Sequence, residues 1–294
     1  MTGAPESGSP VSHRASWVMA RGRRLDLIST RVMGIVNVTP DSFSDGGSFM
    51  DHGRAIDHGL AMIDQGADIL DIGGESTRPG AEEISVLEER KRVIPVVAGI
   101  SKQAQVPLSI DTTKAEVAAE ALEAGAVVIN DVSGLHGDPE MARLAARSGA
   151  GLVLMHMRGC PRTMKDRARY VDLVGEVISE LEASVHVALE AGAAPETIVL
   201  DPGIGFAKDA RQSLVLLRYL SEVRALGYPV LVGPSRKSFI GAVTGAPVDR
   251  RVPGTISSAV SAALSGARVI RVHDVEEAVQ ALRVADAIRT AGDE

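Results

Sequence analysis

VPLSIDTTKAEVAAEALEAGAVVIND, residues 106–131, holds the whole fold in one repeat. A mostly apolar run, Val106–Ile110, ends in Asp111. A helix-like stretch, Lys114–Ala124, follows and stops at Gly125. A second apolar run, Val127–Ile129, begins at once and ends in Asn130. Short apolar runs bounded by turn signals read as buried strands. Glycine after a helical stretch is the left-handed stop that releases the chain into the next strand. The unit is strand, helix, strand, with a polar side chain at the C-terminal end of each strand.

Outward from this stretch the unit repeats. Strands are predicted at Val32–Asn37, Ile69–Ile72, Leu108–Asp111, Val127–Asn130, Leu152–Met155, Ile198–Asp201, Pro229–Val232 and Arg268–Val272. Helices are predicted at Gly53–Gln65, Ser85–Gln103, Lys114–Ala124, Pro139–Arg147, Tyr170–Ala191, Ala210–Ala225, Thr255–Leu264 and Val275–Arg289. Gly66, Gly149, Gly192, Gly227 and Gly266 stand where Gly125 does. The strands show little polar alternation, as expected when both faces are buried. Eight such units predict an α/β fold closed as a (β/α)8 TIM barrel, with its site at the C-terminal strand ends. An open doubly wound sheet needs a glycine fingerprint after its first strand, and Asn37–Gly47 carries none. Residues 1–15, rich in Ser, Gly and Pro, are expected to be a disordered tail. Residues 16–294 are expected to form one domain, with Trp17–Thr30 as a ribbon or cap before the first core strand.

Composition removes several function classes. Aromatic residues are only 3%, so the core rests on Val, Ile, Leu, Ala and Met. The formal charge of −7 gives no support to nucleic-acid binding, although local Arg and Lys can still receive an anionic substrate. The lone Cys160 excludes an intrachain disulfide and a multi-cysteine metal site. No apolar run is long enough to span a membrane, and the N-terminus lacks a secretory pattern. A cytoplasmic protein is expected.

Five loops concentrate the chemistry. Asn37–Gly47 offers Asn37, Asp41 and several hydroxyls ahead of a Gly pair, as a lid or a phosphate and metal loop. Gly73–Gly80 carries Thr77, Arg78 and Pro79 beside two glycines that let backbone approach a ligand. Asp111 and Asn130 end neighbouring strands; a strand-end carboxylate either caps the next helix or holds an NH-rich heterocycle. Asp201-Pro-Gly-Ile-Gly-Phe206 places a Phe in a loop, where it must cover a ligand or dock on a helix. Gly233–Ser238 and Arg271–Asp274 close strands seven and eight, the usual phosphate position in this barrel. There Lys237, Arg271 and His273 can face a diphosphate together. Met155-His156-Met157 can line a pocket; the other histidines read as surface or helix residues.

Eight segments in order, Met33–Gly47, Asp71–Gly80, Ser109–Thr112, Ile129–Gly134, Leu154–Met157, Leu200–Phe206, Gly233–Phe239 and Arg271–Asp274, make the chain resemble the dihydropteroate synthase family. The resemblance spans residues 32–289. It implies condensation of 6-hydroxymethyl-7,8-dihydropterin diphosphate with p-aminobenzoate, giving 7,8-dihydropteroate and diphosphate by an SN1-like path. It implies that Asp111, Asn130, Asp201 and Lys237 hold the pterin, with Met155, Phe206 and Gly233 around it. Asn37, Arg271 and His273 are implied near the diphosphate, with Mg2+ at Asn37. Phe43, Thr77, Arg78, Pro79 and Ser238 are implied around p-aminobenzoate. Asp111, Lys237, Arg271 and His273 are the implied catalytic set, and a homodimer is the implied assembly.

The residue types suit that chemistry. A pterin edge is rich in donors, which Asp201 accepts, while Asn130 both donates and accepts. A fixed carboxylate such as Asp111 stabilises a forming cation best in a water-poor pocket. The amine nucleophile is already neutral at pH 7, so it needs positioning rather than a base. One departure is Pro234, where the resembled pattern often has Leu, Ala or Thr. The alternatives are a pterin-binding paralogue without turnover and a methyltetrahydrofolate-binding methyltransferase domain; the latter has no need of the Asn37–Gly47 or Arg-Lys-Ser segments.

Overall fold

The structure, a computed structural model, describes residues 15–39, 48–78 and 80–292, apart from the side chains of 48–51. Residues 1–14 of the expected 1–15 tail, Phe43 and Pro79 lie outside the described residues, as does most of the Asn37–Gly47 loop; Ala15 itself is ordered, its carbonyl accepting from the Leu27 N–H at 2.8 Å.

Eight parallel strands form the barrel: β3 (Arg31–Asn37), β4 (Ile69–Gly73), β5 (Leu108–Asp111), β6 (Val128–Asp131), β7 (Gly151–Met155), β8 (Ile198–Asp201), β9 (Leu231–Val232) and β10 (Val269–Val272). Consecutive strands pair from β3 to β8, and β10 lies between β9 and β3. A parallel bridge between Leu200 and Val230 closes the ring. The strands β4, β5, β6, β7 and β8 are buried throughout, which explains their largely apolar character. The barrel predicted from the repeat is the one observed.

The helices are α1 (Ser48–Asp64), α2 (Val86–Ser101), α3 (Ala115–Ala124), α4 (Pro139–Ser148), α5 (Leu173–Glu190), α6 (Ala210–Arg218), α7 (Leu220–Arg224), α8 (Ser238–Thr244), α9 (Val252–Leu264) and α10 (Val275–Thr290). Gly125 ends α3 at φ 130, and a Cβ there would lie 2.5 Å from the Ser101 Cβ. Only glycine fits both the backbone angle and the approach of α2.

Three expectations need correction. The helix expected from Tyr170 starts at Leu173, because Asp172 caps it by accepting from the Gly175 N–H. The helix expected at 210–225 breaks at Tyr219, giving α6 and α7. The seven-residue α8 was not expected, being too short to show a period.

Below the barrel, β1 (Ser16–Val18) and β2 (Arg24–Asp26) form an antiparallel hairpin. Trp17 is wholly buried, and its ring N–H donates to the Thr197 carbonyl at 2.7 Å. Its ring packs against Gly151, where a Cβ would come within 3.1 Å of it. The hairpin therefore plugs the N-terminal end of the barrel, opposite the loops that carry chemistry. Trp17→Ala is expected to destabilise the fold by about 3–5 kcal/mol through the cavity it leaves. Urea denaturation measures this; a change under about 1 kcal/mol would mean that the hairpin is ornamental. Among the described residues no helix is long and apolar enough to cross a membrane.

Candidate active site

Arg271 on β10 is the hub of the C-terminal rim. Its Nε donates to Asp71 Oδ2 at 2.6 Å, and its Nη2 donates to Asp111 Oδ2 at 2.7 Å. The Asn130 amide donates to the same Asp71 oxygen at 2.9 Å. Three strands, β4, β5 and β10, thus meet at one guanidinium, and β6 joins them through Asp71. Burial opposes the charge on Arg271, but Asp71 and Asp111 outweigh it and raise its pKa. Burial pushes Asp111 upward against the pull of Arg271. Asp111 does not cap α3; the Ala115 N–H donates instead to Asp138 at 2.9 Å.

Asp71 is the member of this cluster to which the sequence reading assigned no role. Its signal was present: a carboxylate in the middle of an otherwise apolar strand must find a buried partner. Strand alternation also separates Asn130 from Asp131. Asn130 turns to the cluster, whereas Asp131 accepts from the N–H groups of Ser133 and Leu135 at 2.8 Å each.

Beside this hub lies a narrow slot lined by Asn130, Val132, Met155, Asp201, Ile204, Phe206, Gly233, Lys237 and Arg271. Asp201 ends β8, and its Oδ1 accepts from the Gly203 N–H at 2.7 Å. Burial raises its pKa to about 6, with the Gly203 bond and then Lys237 opposing. Lys237 holds its ammonium 4.0 Å from the centre of the Phe206 ring. Burial, helped by Arg271, lowers its pKa to about 8. Phe206 is only 8% exposed and belongs to an apolar cluster with Val132, Met155, Met157 and Met164. The slot therefore has an apolar wall, a carboxylate and an ammonium.

His273 lies at the edge of this group. Its Nδ1 is 2.9 Å from Ser235 Oγ, and its Nε2 is 3.4 Å from the Asn37 amide nitrogen. Burial, then Arg271 and Arg236, lowers its pKa to about 4, so it is neutral at pH 7. Of the three groups expected to face a diphosphate, His273 offers hydrogen bonding rather than charge. Arg236 is tied to Asp274, with Nη2 2.5 Å from Oδ1. Pro234 leaves this turn intact, since its carbonyl accepts from the Lys237 N–H at 3.3 Å.

Residues 33–273 match the family model described as Pterin binding enzyme. The dihydropteroate synthase of Synechocystis sp. is 51% identical over 260 residues, covering 88% of this chain and 90% of that protein. The Escherichia coli dihydropteroate synthase is 46% identical over 93% of this chain and 97% of its own length. The chain belongs to the dihydropteroate synthase family.

A Yersinia pestis dihydropteroate synthase, solved as a complex with a sulfonamide drug, superposes with a TM-score of 0.88 at 44% identity. That match covers 94% of this chain and 100% of the other. A Xanthomonas albilineans dihydropteroate synthase in complex with 7,8-dihydropteroate gives 0.84 at 42% identity, over 93% and 99% of the two chains.

The residues that the dihydropteroate synthase resemblance put around p-aminobenzoate are less tightly joined. Thr77 is half-buried, while Arg78 and Ser238 are exposed. Among the described residues none of the three hydrogen-bonds to the Arg271 cluster. Their loop is nonetheless fixed from below. Lys114 pairs with Glu75 and, at 2.7 Å, with Glu89. Arg92 donates to the Gly74 carbonyl at 2.9 Å.

A metal cage is absent among the described residues: no group of three or more His, Cys, Asp or Glu side chains is placed to hold an ion. Asn37, at the end of β3, offers one amide oxygen. That suits Mg2+ carried in on a diphosphate, since this ion keeps most of its waters and takes few protein ligands.

Proposed function

We propose that this protein condenses 6-hydroxymethyl-7,8-dihydropterin diphosphate with p-aminobenzoate to give 7,8-dihydropteroate and diphosphate. The reading is carried by one observation: a slot with an apolar wall, a buried carboxylate and a buried ammonium opens beside the Arg271 hub. Asp201 accepts from the donor edge of the pterin, Asn130 bonds the same edge, and Lys237 donates to a ring acceptor. Met155 and Phe206 cover the ring, with the Gly233 backbone beside it. The C–O bond to diphosphate breaks first, and the electron pair leaves with the diphosphate. The methylene cation is stabilised by the negative field of Asp111. The amine of p-aminobenzoate then forms the C–N bond and gives its proton to solvent. Thr77, Arg78 and Ser238, with Phe43 and Pro79, orient that amine. Arg271, His273 and Asn37 lie toward the leaving group. Mg2+, for which Asn37 would be the protein ligand, would supply positive charge to that group when bound. A cytoplasmic homodimer is part of the same reading, and the exposed Val284 and Ile288 of α10 give a dimer an apolar face to cover.

The test is direct. Purified protein with magnesium and both substrates is expected to release diphosphate and form dihydropteroate, and chelation of the metal is expected to suppress both. Tight pterin binding without turnover would favour the paralogue reading instead.

A pH profile follows from the slot. The competent free enzyme has Asp201 ionised and Lys237 protonated. Burial raises Asp201 to about 6 and lowers Lys237 to about 8. kcat/KM should therefore rise as Asp201 loses its proton near pH 6 and Asp111, raised by burial to about 7, loses its own, and fall as Lys237 loses its proton near pH 8. A profile flat from pH 5 to 9, after correction for substrate ionisation, would remove Asp201 and Lys237 from the binding step.

A further inference from the structure

Behind the slot lies a buried amine that the reaction above does not use. Lys208 is 7% exposed and does not line the slot. Its Nζ lies 2.8 Å from His156 Nδ1, and it donates to the Phe206 carbonyl at 2.9 Å and to the His156 carbonyl at 3.3 Å. Those acceptors sit on two separate segments. His156 directly follows Met155 at the end of β7. Phe206 ends the loop that begins at Asp201 on β8.

The two segments press together where Lys208 joins them. A Cβ at Gly203 would lie 2.0 Å from the His156 carbonyl oxygen and 3.3 Å from Lys208 Nζ. The His156 ring is oriented from its far side. Its Nε2 is 3.0 Å from Glu180, which Arg158 also holds at 3.0 Å. Burial and then Lys208 lower the His156 pKa to about 3, so the ring is neutral. With Nε2–H turned to the Glu180 carboxylate, Nδ1 is the free acceptor for Lys208. Burial lowers Lys208 itself to about 7, yet a neutral amine still keeps two N–H donors.

We propose that Lys208 is a positioning residue that clamps the β7 end to the loop after β8, and so sets where Met155 and Phe206 stand against the pterin. The proposal rests on the slot being the pterin site. Met155 and Phe206 are one residue and zero residues away from the clamped carbonyls, so loss of the clamp shifts the apolar wall directly. p-Aminobenzoate, bound toward the Thr77–Arg78 and Ser238 rim, does not depend on it.

The experiment is steady-state kinetics of Lys208→Met. KM for the pterin diphosphate is expected to rise roughly tenfold, about what one net hydrogen bond is worth in placement. KM for p-aminobenzoate and kcat at saturation are expected to stay within about twofold. His156→Phe keeps a ring but removes the Nδ1 acceptor, and it should shift the same constant; it carries the test should Lys208→Met fail to fold. His156→Asn restores an acceptor at that place and should return the pterin KM toward wild type. Asp201→Asn separates the two layers of the argument. If that variant loses pterin affinity while Lys208→Met and His156→Phe keep it, the clamp is wrong. If Asp201→Asn also keeps it, the slot is not the pterin site and the clamp falls with it. Equal rises in both KM values would reduce Lys208 to a general structural role and overturn the proposal.

Discussion

Arg271→Met is expected to abolish turnover and to destabilise the protein by about 3–5 kcal/mol. The reason is what the change strands. Asp71 is completely buried and Asp111 is 8% exposed, and Arg271 donates to both. Asp71 Oδ1 already lacks a hydrogen-bond partner among the described residues. Removing the guanidinium leaves two largely buried carboxylates with no cation between them. The folded-state pKa of Asp111 then rises further above the unfolded value near 3.8. A carboxyl raised in the folded state binds more protons there than when unfolded, so stability falls as pH rises through that window. The loss should therefore be larger at pH 8 than at pH 5. Adding Asp71→Asn and Asp111→Asn to Arg271→Met should recover stability but not activity. Denaturation across pH checks the first part, and the triple variant checks the second. A single variant as stable as wild type at pH 8 would mean that the carboxylates are not held charged by Arg271.

Asp201→Asn is expected to lower kcat/KM roughly 10²–10⁴-fold, since two bonds to a charged acceptor are each worth about 1.5–3 kcal/mol. The amide keeps the shape and one acceptor, so the Gly203 N–H bond survives. It turns its NH2 toward the donor edge of the pterin, placing donor against donor. The part of the acid limb near pH 6 should vanish in the same variant, because the group that titrates there is gone, while the Asp111 part near 7 stays. Stopped-flow or equilibrium pterin binding, with the pH profile, reads both effects. A loss under threefold, or an acid limb unchanged from wild type, would move the pterin contact to another residue.

Much of this site was legible along the chain. Asp111, Asn130, Asp201, Lys237 and Arg271 all end apolar runs or open the turns after them, and a barrel sends such residues to one rim. Asn130, Asp201, Lys237 and Arg271 do line one slot. Two of the residues not assigned a role have no place at a strand end, and the third is a turn serine. Asp71 sits mid-strand, Lys208 lies two residues past the Phe206 loop, and Ser235 reads as one more turn serine until His273 meets it. His156 looked like a pocket-lining residue and instead anchors a buried amine behind the wall.

What the chain alone determined was local: strand length, helix period, the glycine stops and the polar strand ends, all of which depend on residues within a few positions of one another. Those signals suffice for eight units and for a closed ring, because parallel strands joined by helices have few other ways to bury both faces. Only the tertiary structure decided which polar groups share a proton or a charge. Arg271 and Asp71 are 200 residues apart, and Asn37 and His273 are 236 apart. Their meeting depends on the register of every intervening strand and on the Leu200–Val230 closure. Burial then sets their charge states, lowering His273 to about 4 and Lys237 to about 8. Desolvation depends on what surrounds a group in space, and neighbours along the sequence do not specify that.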